Sequence, residues 1–224
     1  MDEGANPSIS TMIKPTLKVG FVVYTCTECY NYYMQFSQTE YYKENFSDIT
    51  INESSIEEVT FVECEFSYCN MINCFFKQCR FTNCSFTNCS LSAIKPDQSR
   101  FIGVTFSYCK LLSFDFSLTY ELRDMSFIHC QLDYSNFSML KLPKLIMTDC
   151  NAKGVFFEEV NLEESDFSNT NFEEALFFKA NLKKVNFTSA TNYSIDLKTN
   201  NLRGTRFSYP EVMTLLDNLD IVIE

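Results

Sequence analysis

The sequence predicts an all-β solenoid. Two observations point to it and a third excludes its main competitor. From residue 59 the 224-residue chain divides into fives: VTFVE, CEFSY, CNMIN, CFFKQ, CRFTN, CSFTN, CSLSA. The centre of each unit holds Phe61, Phe66, Met71, Phe76, Phe81, Phe86 or Leu91. Two residues earlier stand Val59, Cys64, Cys69, Cys74, Cys79, Cys84 and Cys89. A period of five fits neither the helical repeat nor the strict alternation of a strand. It fits a chain that turns a corner every five residues and points two side chains inward per side, with coils stacked at strand spacing. Composition agrees, because 23 Phe and 11 Cys with no Trp supply one large and one small filler for a narrow interior. Only 5 Gly and 5 Pro are present, too few turn residues for a hairpin-rich sandwich.

The elements follow in order. Residues 1–45 read as an N-terminal tail and cap. Gly4, Pro7 and Pro15 break up its start, and Phe21, Tyr24, Tyr30, Tyr32, Tyr33, Phe36, Tyr41 and Tyr42 form an aromatic stretch expected to add an imperfect first coil or a cap. A solenoid needs such a cap to cover its end. Cys26 and Cys29 form a C-x-x-C outside the repeat, with no second pair and no nearby His to complete a zinc site.

Residues 46–207 form the solenoid. Its centres run from Phe46, Ile51 and Ile56 through Phe101, Phe106, Leu111 and Phe116. The register slips by one residue around Ser117–Glu121 and resumes at Leu122, Phe127, Leu132, Phe137, Leu142 and Met147. After Ala152 it continues through Phe157, Leu162, Phe167, Phe172, Phe177, Leu182 and Phe187, then Asn192, Leu197, Leu202 and Phe207. Residues 94–100, with Pro96 at a unit centre, and residues 117–121 are expected to bulge outward. Nine cysteines, at 64, 69, 74, 79, 84, 89, 109, 130 and 150, fall in the small inward slot and read as buried thiols used as small hydrophobes.

Residues 208–224 form a capping and dimerisation element. Pro210 starts a helix, and Val212, Leu215, Leu216 and Leu219 make an apolar stripe at helical spacing. Ile221 and Ile223 alternate as a half-buried strand would. The stripe and strand together exceed what one coil end needs to cover, which points to a homodimer.

The units VNLEE, SDFSN, TNFEE, ANLKK and VNFTS, between residues 160 and 189, resemble the A-(D/N)-L-x-x signature of the pentapeptide-repeat family. The resemblance covers roughly residues 46–207. It implies a right-handed quadrilateral β-helix with four units per coil, hence about eight coils and a rod about 40 Å long at strand spacing. Phe61, Phe81 and Phe101 would then stack on one inner face. The closing segment resembles that of the bacterial quinolone-resistance proteins, which protect DNA gyrase and pair end to end. The cysteine-rich early units resemble the microcin-immunity member.

Charge and motifs bound the function. The formal charge of −11 opposes direct binding of nucleic acid and favours a basic partner. No apolar run is long enough to span a membrane. The acidic N-terminus lacks an export signal, so the expectation is a cytoplasmic protein with reduced thiols. No P-loop, dinucleotide fingerprint, HExxH or nucleophile elbow occurs, and His129 is the single histidine. These absences point away from an enzyme and from any cofactor or metal.

The resemblance implies a DNA-mimicking binder of DNA gyrase or topoisomerase IV that protects it from quinolones or a toxin. Glu158, Glu163, Glu164, Glu173 and Glu174 are the candidate acidic face. With 20 residues per coil, Lys183 and Lys184 stack against Glu163 and Glu164, and Lys179 against Glu159, leaving Glu158, Glu173 and Glu174 least compensated. The alternative is a non-enzymatic interaction scaffold with another partner.

Overall fold

The structure, a computed structural model, describes residues 12–18, 21–26 and 32–217, together with Leu219 and Ile221. It is a four-sided β-solenoid of about eight coils. Each side is a short strand whose central residue faces inward, and register partners lie one coil apart. On one side Tyr41, Phe61, Phe81, Phe101 and Leu122 are successive partners. On the next, Phe46, Phe66, Phe86, Phe106, Phe127 and Met147 are. Ile51–Met71 and Ile56–Phe76 begin the other two sides.

The backbone explains the period. Each side donates to both neighbouring coils: the Arg80 amide bonds the Val59 carbonyl at 2.9 Å, and the Asn83 amide bonds the Ile102 carbonyl at 2.8 Å. Between sides the chain turns through one left-handed residue, such as Glu58, Glu63, Tyr68 or Asn73, with φ near +55°. The polar side chain at that corner points outward, so the strained conformation is met without burying a charge. At Gly154 the corner admits glycine alone without rearrangement, because a Cβ there would sit 2.5 Å from the Tyr134 ring.

The interior is a set of ring stacks. Phe61–Phe81 and Phe81–Phe101 lie 5.0 and 4.8 Å apart, with planes 12° and 13° from parallel, as expected from the sequence. The nine slot cysteines are free thiols and buried. Each of them donates to a backbone carbonyl of the preceding coil, as Cys84 Sγ does to Phe61 O at 3.4 Å. Burial pushes the Cys79 and Cys84 thiols up to about 11.

Five expectations need correction. First, of the aromatic stretch 21–45 only the part from Glu40 onward joins a coil, and the strands before it do not. Strands β1 (Met12–Lys18), β2 (Phe21–Cys26) and β3 (Tyr32–Phe36) form an antiparallel sheet, in keeping with a segment that lacks the five-residue period. The first coil starts at Glu40–Tyr42, ahead of residue 46, and Phe36 sits edge-on to Phe61 at 4.9 Å over its open end. Cys26 closes β2, and Cys29 lies outside the described residues.

Second, residues 94–100 keep the register and form no loop. Pro96 is buried at its centre, and Phe75 bridges Lys95 one coil on. Proline lacks the amide that would have donated to the Asp115 carbonyl. That carbonyl accepts instead from Leu118, within the 3-10 turn Phe116–Leu118.

Third, that turn absorbs the extra residue around 117–121 in place of an open loop. The Asp115 carboxylate caps it through the Ser117 amide at 3.2 Å, and Phe114 stacks on Phe116 at 4.1 Å.

Fourth, Asn192 and Leu197 are not core centres. Asn192 and Leu197 are exposed, and Tyr193 and Ile195 fill the shaft instead. The buried Asn200 amide restores the lattice by donating to Phe177 O and accepting from the Ala180 amide.

Fifth, the closing helix is a six-residue 3-10 helix, Glu211–Leu216. Three residues per turn align Val212 with Leu215 and rotate Leu216 away, so the helical stripe is split. Leu215 is buried as a plug, and Val212 packs against the same core.

Candidate functional site

The sides of the rod carry outward side chains in columns that repeat every coil, so pairing is decided by what lies twenty residues away. Of the five acids singled out in sequence, four meet lysines. Lys183 contacts Glu163 and Lys184 contacts Glu164, both at 2.6 Å. The lysine beside it holds the Glu164 carboxyl below its ordinary value, and the acid in turn raises Lys184. Lys179 meets Glu159 at 2.9 Å, as the coil length requires. Glu173 and Glu174 share Lys153 at 2.9 and 3.4 Å, a cross-coil pair the sequence reading left uncompensated. Glu158 alone of the five has no ion pair among the described residues.

Asparagine columns run beside these pairs. The Asn181 side chain donates to Asn161 at 2.8 Å and the Asn201 side chain donates to Asn181 at 2.8 Å. The asparagine oxygen also accepts from the amide two residues on, as Asn171 does from Glu173. The Asp/Asn of the repeat signature therefore fixes the corner and ties coil to coil.

The uncompensated charge lies elsewhere. Between residues 40 and 65 stand eight acids, Glu40, Glu44, Asp48, Glu53, Glu57, Glu58, Glu63 and Glu65, against one base, Lys43. All eight are exposed. Lys43 meets Glu63 at 3.4 Å and Lys77 of the next coil meets Glu57 at 2.9 Å. From residue 66 to 207 the chain has 14 acids and 15 bases, so the body of the rod is near neutral. The belt is legible in the sequence as a local excess of acid, without the regular Glu–Lys spacing of the later coils.

At the other end, Leu216 and Leu219 are half-buried while Tyr209, Met213 and Ile221 are exposed. Ile223 lies outside the described residues. On one side of the late coils Phe156 and Leu176 are exposed register partners, and Met139 is exposed at a corner. His129 sits at an exposed corner with its ring stacked on Tyr108 at 4.8 Å. No helix of the described residues is long and apolar enough to cross a membrane.

The repeat geometry agrees with comparison to known families. The model for pentapeptide repeats (8 copies) matches residues 61–95, and that for a pentapeptide repeat region matches residues 79–157 and 120–207. The chain belongs to the pentapeptide-repeat family. No curated protein matches this pentapeptide-repeat chain in sequence. Among solved structures it is similar to two trypsin-treated variants of QnrB1, a plasmid-mediated fluoroquinolone resistance protein. One aligns with a TM-score of 0.57 at 18% identity, over 83% of this chain and 100% of that one. The other aligns with a TM-score of 0.58 at 20% identity, over 82% and 99%. At this identity the likeness is one of fold.

Proposed function

We propose that this pentapeptide-repeat protein binds a type II topoisomerase, DNA gyrase or topoisomerase IV, and shields it from a quinolone or a toxin by presenting acid where the enzyme expects DNA. The observation that carries the reading is the exposed acidic belt of the first coils, eight acids to one lysine at one tip of a narrow rod. Such a tip is attracted to a cationic DNA-binding surface by the same charge density that draws cations to DNA. The fold shared with QnrB1 over almost the whole of that chain supports the class of activity. Glu158, with the lysine-paired Glu163, Glu164, Glu173 and Glu174, contributes a secondary acidic stripe.

The protein acts by binding, without catalysis or cofactor. It works as a homodimer joined through Leu216, Leu219, Ile221 and Ile223, with Val212 and Leu215 holding the cap beneath them. Pairing covers the exposed apolar end and sets the two acidic tips about 80 Å apart by strand-spacing arithmetic. The nine free buried thiols support a reducing compartment, hence the cytoplasm.

The test is gyrase supercoiling and drug-induced DNA cleavage, each with and without the purified protein. Relief of quinolone inhibition, or inhibition of supercoiling at high dose, is the expected result. Absence of any effect on both enzymes at saturating protein would overturn the assignment and leave a scaffold for another partner.

A further inference from the structure

The extra residue at the 3-10 turn has a second effect, on the outside of the rod. It pushes Tyr120 out beside the side that carries Arg80 and Arg100, and the Tyr120 amide anchors it to the Ser99 carbonyl at 2.9 Å. The Arg100 guanidinium lies over the Tyr120 ring, 4.4 Å from its centre. Arg80 and Arg100 are register partners on adjacent coils, so two arginines stand in one outward column. The result is a cleft of about 380 Å³ lined by Thr60, Gln78, Arg80, Gln98, Arg100 and Tyr120, together with Cys79.

We propose that this cleft binds a phosphoryl group. Every lining side chain but that of Cys79 offers an N–H or O–H donor, and none is a carboxylate, on a chain of net charge −11. Arg80 has no ion pair among the described residues. Nε of Arg100 is buried without a hydrogen-bond partner, and lies 3.9 Å from Glu121. The other Glu121 oxygen is engaged by Arg123 at 2.9 Å. A buried, unmatched guanidinium nitrogen is costly unless an acceptor completes it.

Two arginines of like charge on adjacent coils also repel, and an anion that both reach offsets that repulsion. Two guanidinium forks, two glutamine amides and two hydroxyls exceed the acceptor sites of one carboxylate. A phosphoryl group, with three or more oxygens and up to two negative charges, matches the donor set. The source is either free inorganic phosphate or diphosphate, or the phosphate of a monoester.

Titration calorimetry on the full chain tests this, with pyrophosphate, inorganic phosphate, AMP and, as the carboxylate counterpart, glutarate. Pyrophosphate is expected to bind once per chain, about tenfold or more tighter than glutarate, and to weaken as KCl rises. AMP binding tighter than inorganic phosphate identifies a monoester site, and the reverse order identifies a site for free phosphate; either supports the assignment. Arg80→Gln, at an exposed position, should weaken pyrophosphate about tenfold or more while the far-ultraviolet spectrum stays that of the β-solenoid. Gln98→Glu, also exposed, should abolish binding by placing a carboxylate on the rim. The proposal is overturned if no phosphorylated probe binds saturably at millimolar concentration, if glutarate binds as well as pyrophosphate, or if both folded variants bind as the wild type does.

Discussion

Phe66 and Phe86 lie ring on ring, 4.5 Å apart and 6° from parallel, with Phe106 continuing the stack at 4.9 Å. Residues twenty apart in the chain thus become nearest neighbours in the core, and each ring is fixed from above and below. Phe86→Ala should cost about 3–5 kcal/mol, because rigid rungs on both sides keep the cavity from collapsing. Denaturant unfolding measures it, and a loss below about 1 kcal/mol would contradict the stacking.

The thiol ladder sets an alkaline limit. Burial pushes the Cys79 and Cys84 thiols up to about 11 in the folded chain, against an ordinary value of 9.0. The folded state therefore holds protons that the unfolded state releases between these values, and stability falls as pH rises from about 9 to about 11. A Cys79→Ser, Cys84→Ser variant should lose part of this slope. In the native state at pH 8, a thiol reagent should modify the nine ladder cysteines only at the rate of unfolding.

Gly154 tests the corner geometry. Gly154→Ala places a side chain at φ +61° and against the Tyr134 ring. It should cost about 1–2 kcal/mol from the backbone alone, with a further loss from the ring contact. Adding Tyr134→Ala should relieve the clash with the ring and leave the backbone cost, which a double-mutant cycle by thermal or denaturant unfolding resolves.

The paired lysines offer a gain-of-effect test of the proposed activity. Lys153→Gln with Lys183→Gln frees Glu163, Glu173 and Glu174, whose partners these lysines are. Protection of gyrase should then strengthen. Glu53→Gln, Glu58→Gln and Glu65→Gln together should weaken it, with the β-solenoid spectrum intact. Unchanged protection in both would remove the charge-based explanation.

The proposed dimer has a salt signature. Met213→Asp with Ile221→Asp alters exposed positions and leaves the Leu215 plug in place, so it should yield folded monomers by sedimentation. The closing segment 208–224 contributes four acids and no base per chain, which repel across the joint. Added KCl should therefore tighten the dimer, opposite to its effect on an electrostatic complex.

Most of the solenoid was legible because one position in five must fill a shaft of fixed width, and Phe, Leu or Cys there is a strong signal. Legibility failed where another group did the same job. Pro96 fits a centre because its missing amide is matched by the 3-10 turn at Leu118, a compensation one coil away that no local pattern reveals. Tyr193 and Ile195 replace Asn192 and Leu197 because Asn200 supplies the buried hydrogen bonds that hold an irregular coil. The 3-10 form of the C-terminal helix follows from docking onto a coil end, a tertiary constraint invisible in its spacing. The acidic belt is plain in composition, but its importance emerges only when lysines are seen to neutralise the later acids.

That distribution of charge changes how a partner meets this molecule. At physiological ionic strength electrostatic reach is only about 8 Å, a small fraction of a rod about 40 Å long. An approaching cationic surface therefore senses the first coils by themselves and is blind to the neutral flank. In the proposed complex, capture would begin head-on at one tip, with the flank coming into contact only after that tip is anchored. Each protomer of the proposed dimer would then act as a probe with one charged tip, and its length would decide how far into a cavity that tip can be carried.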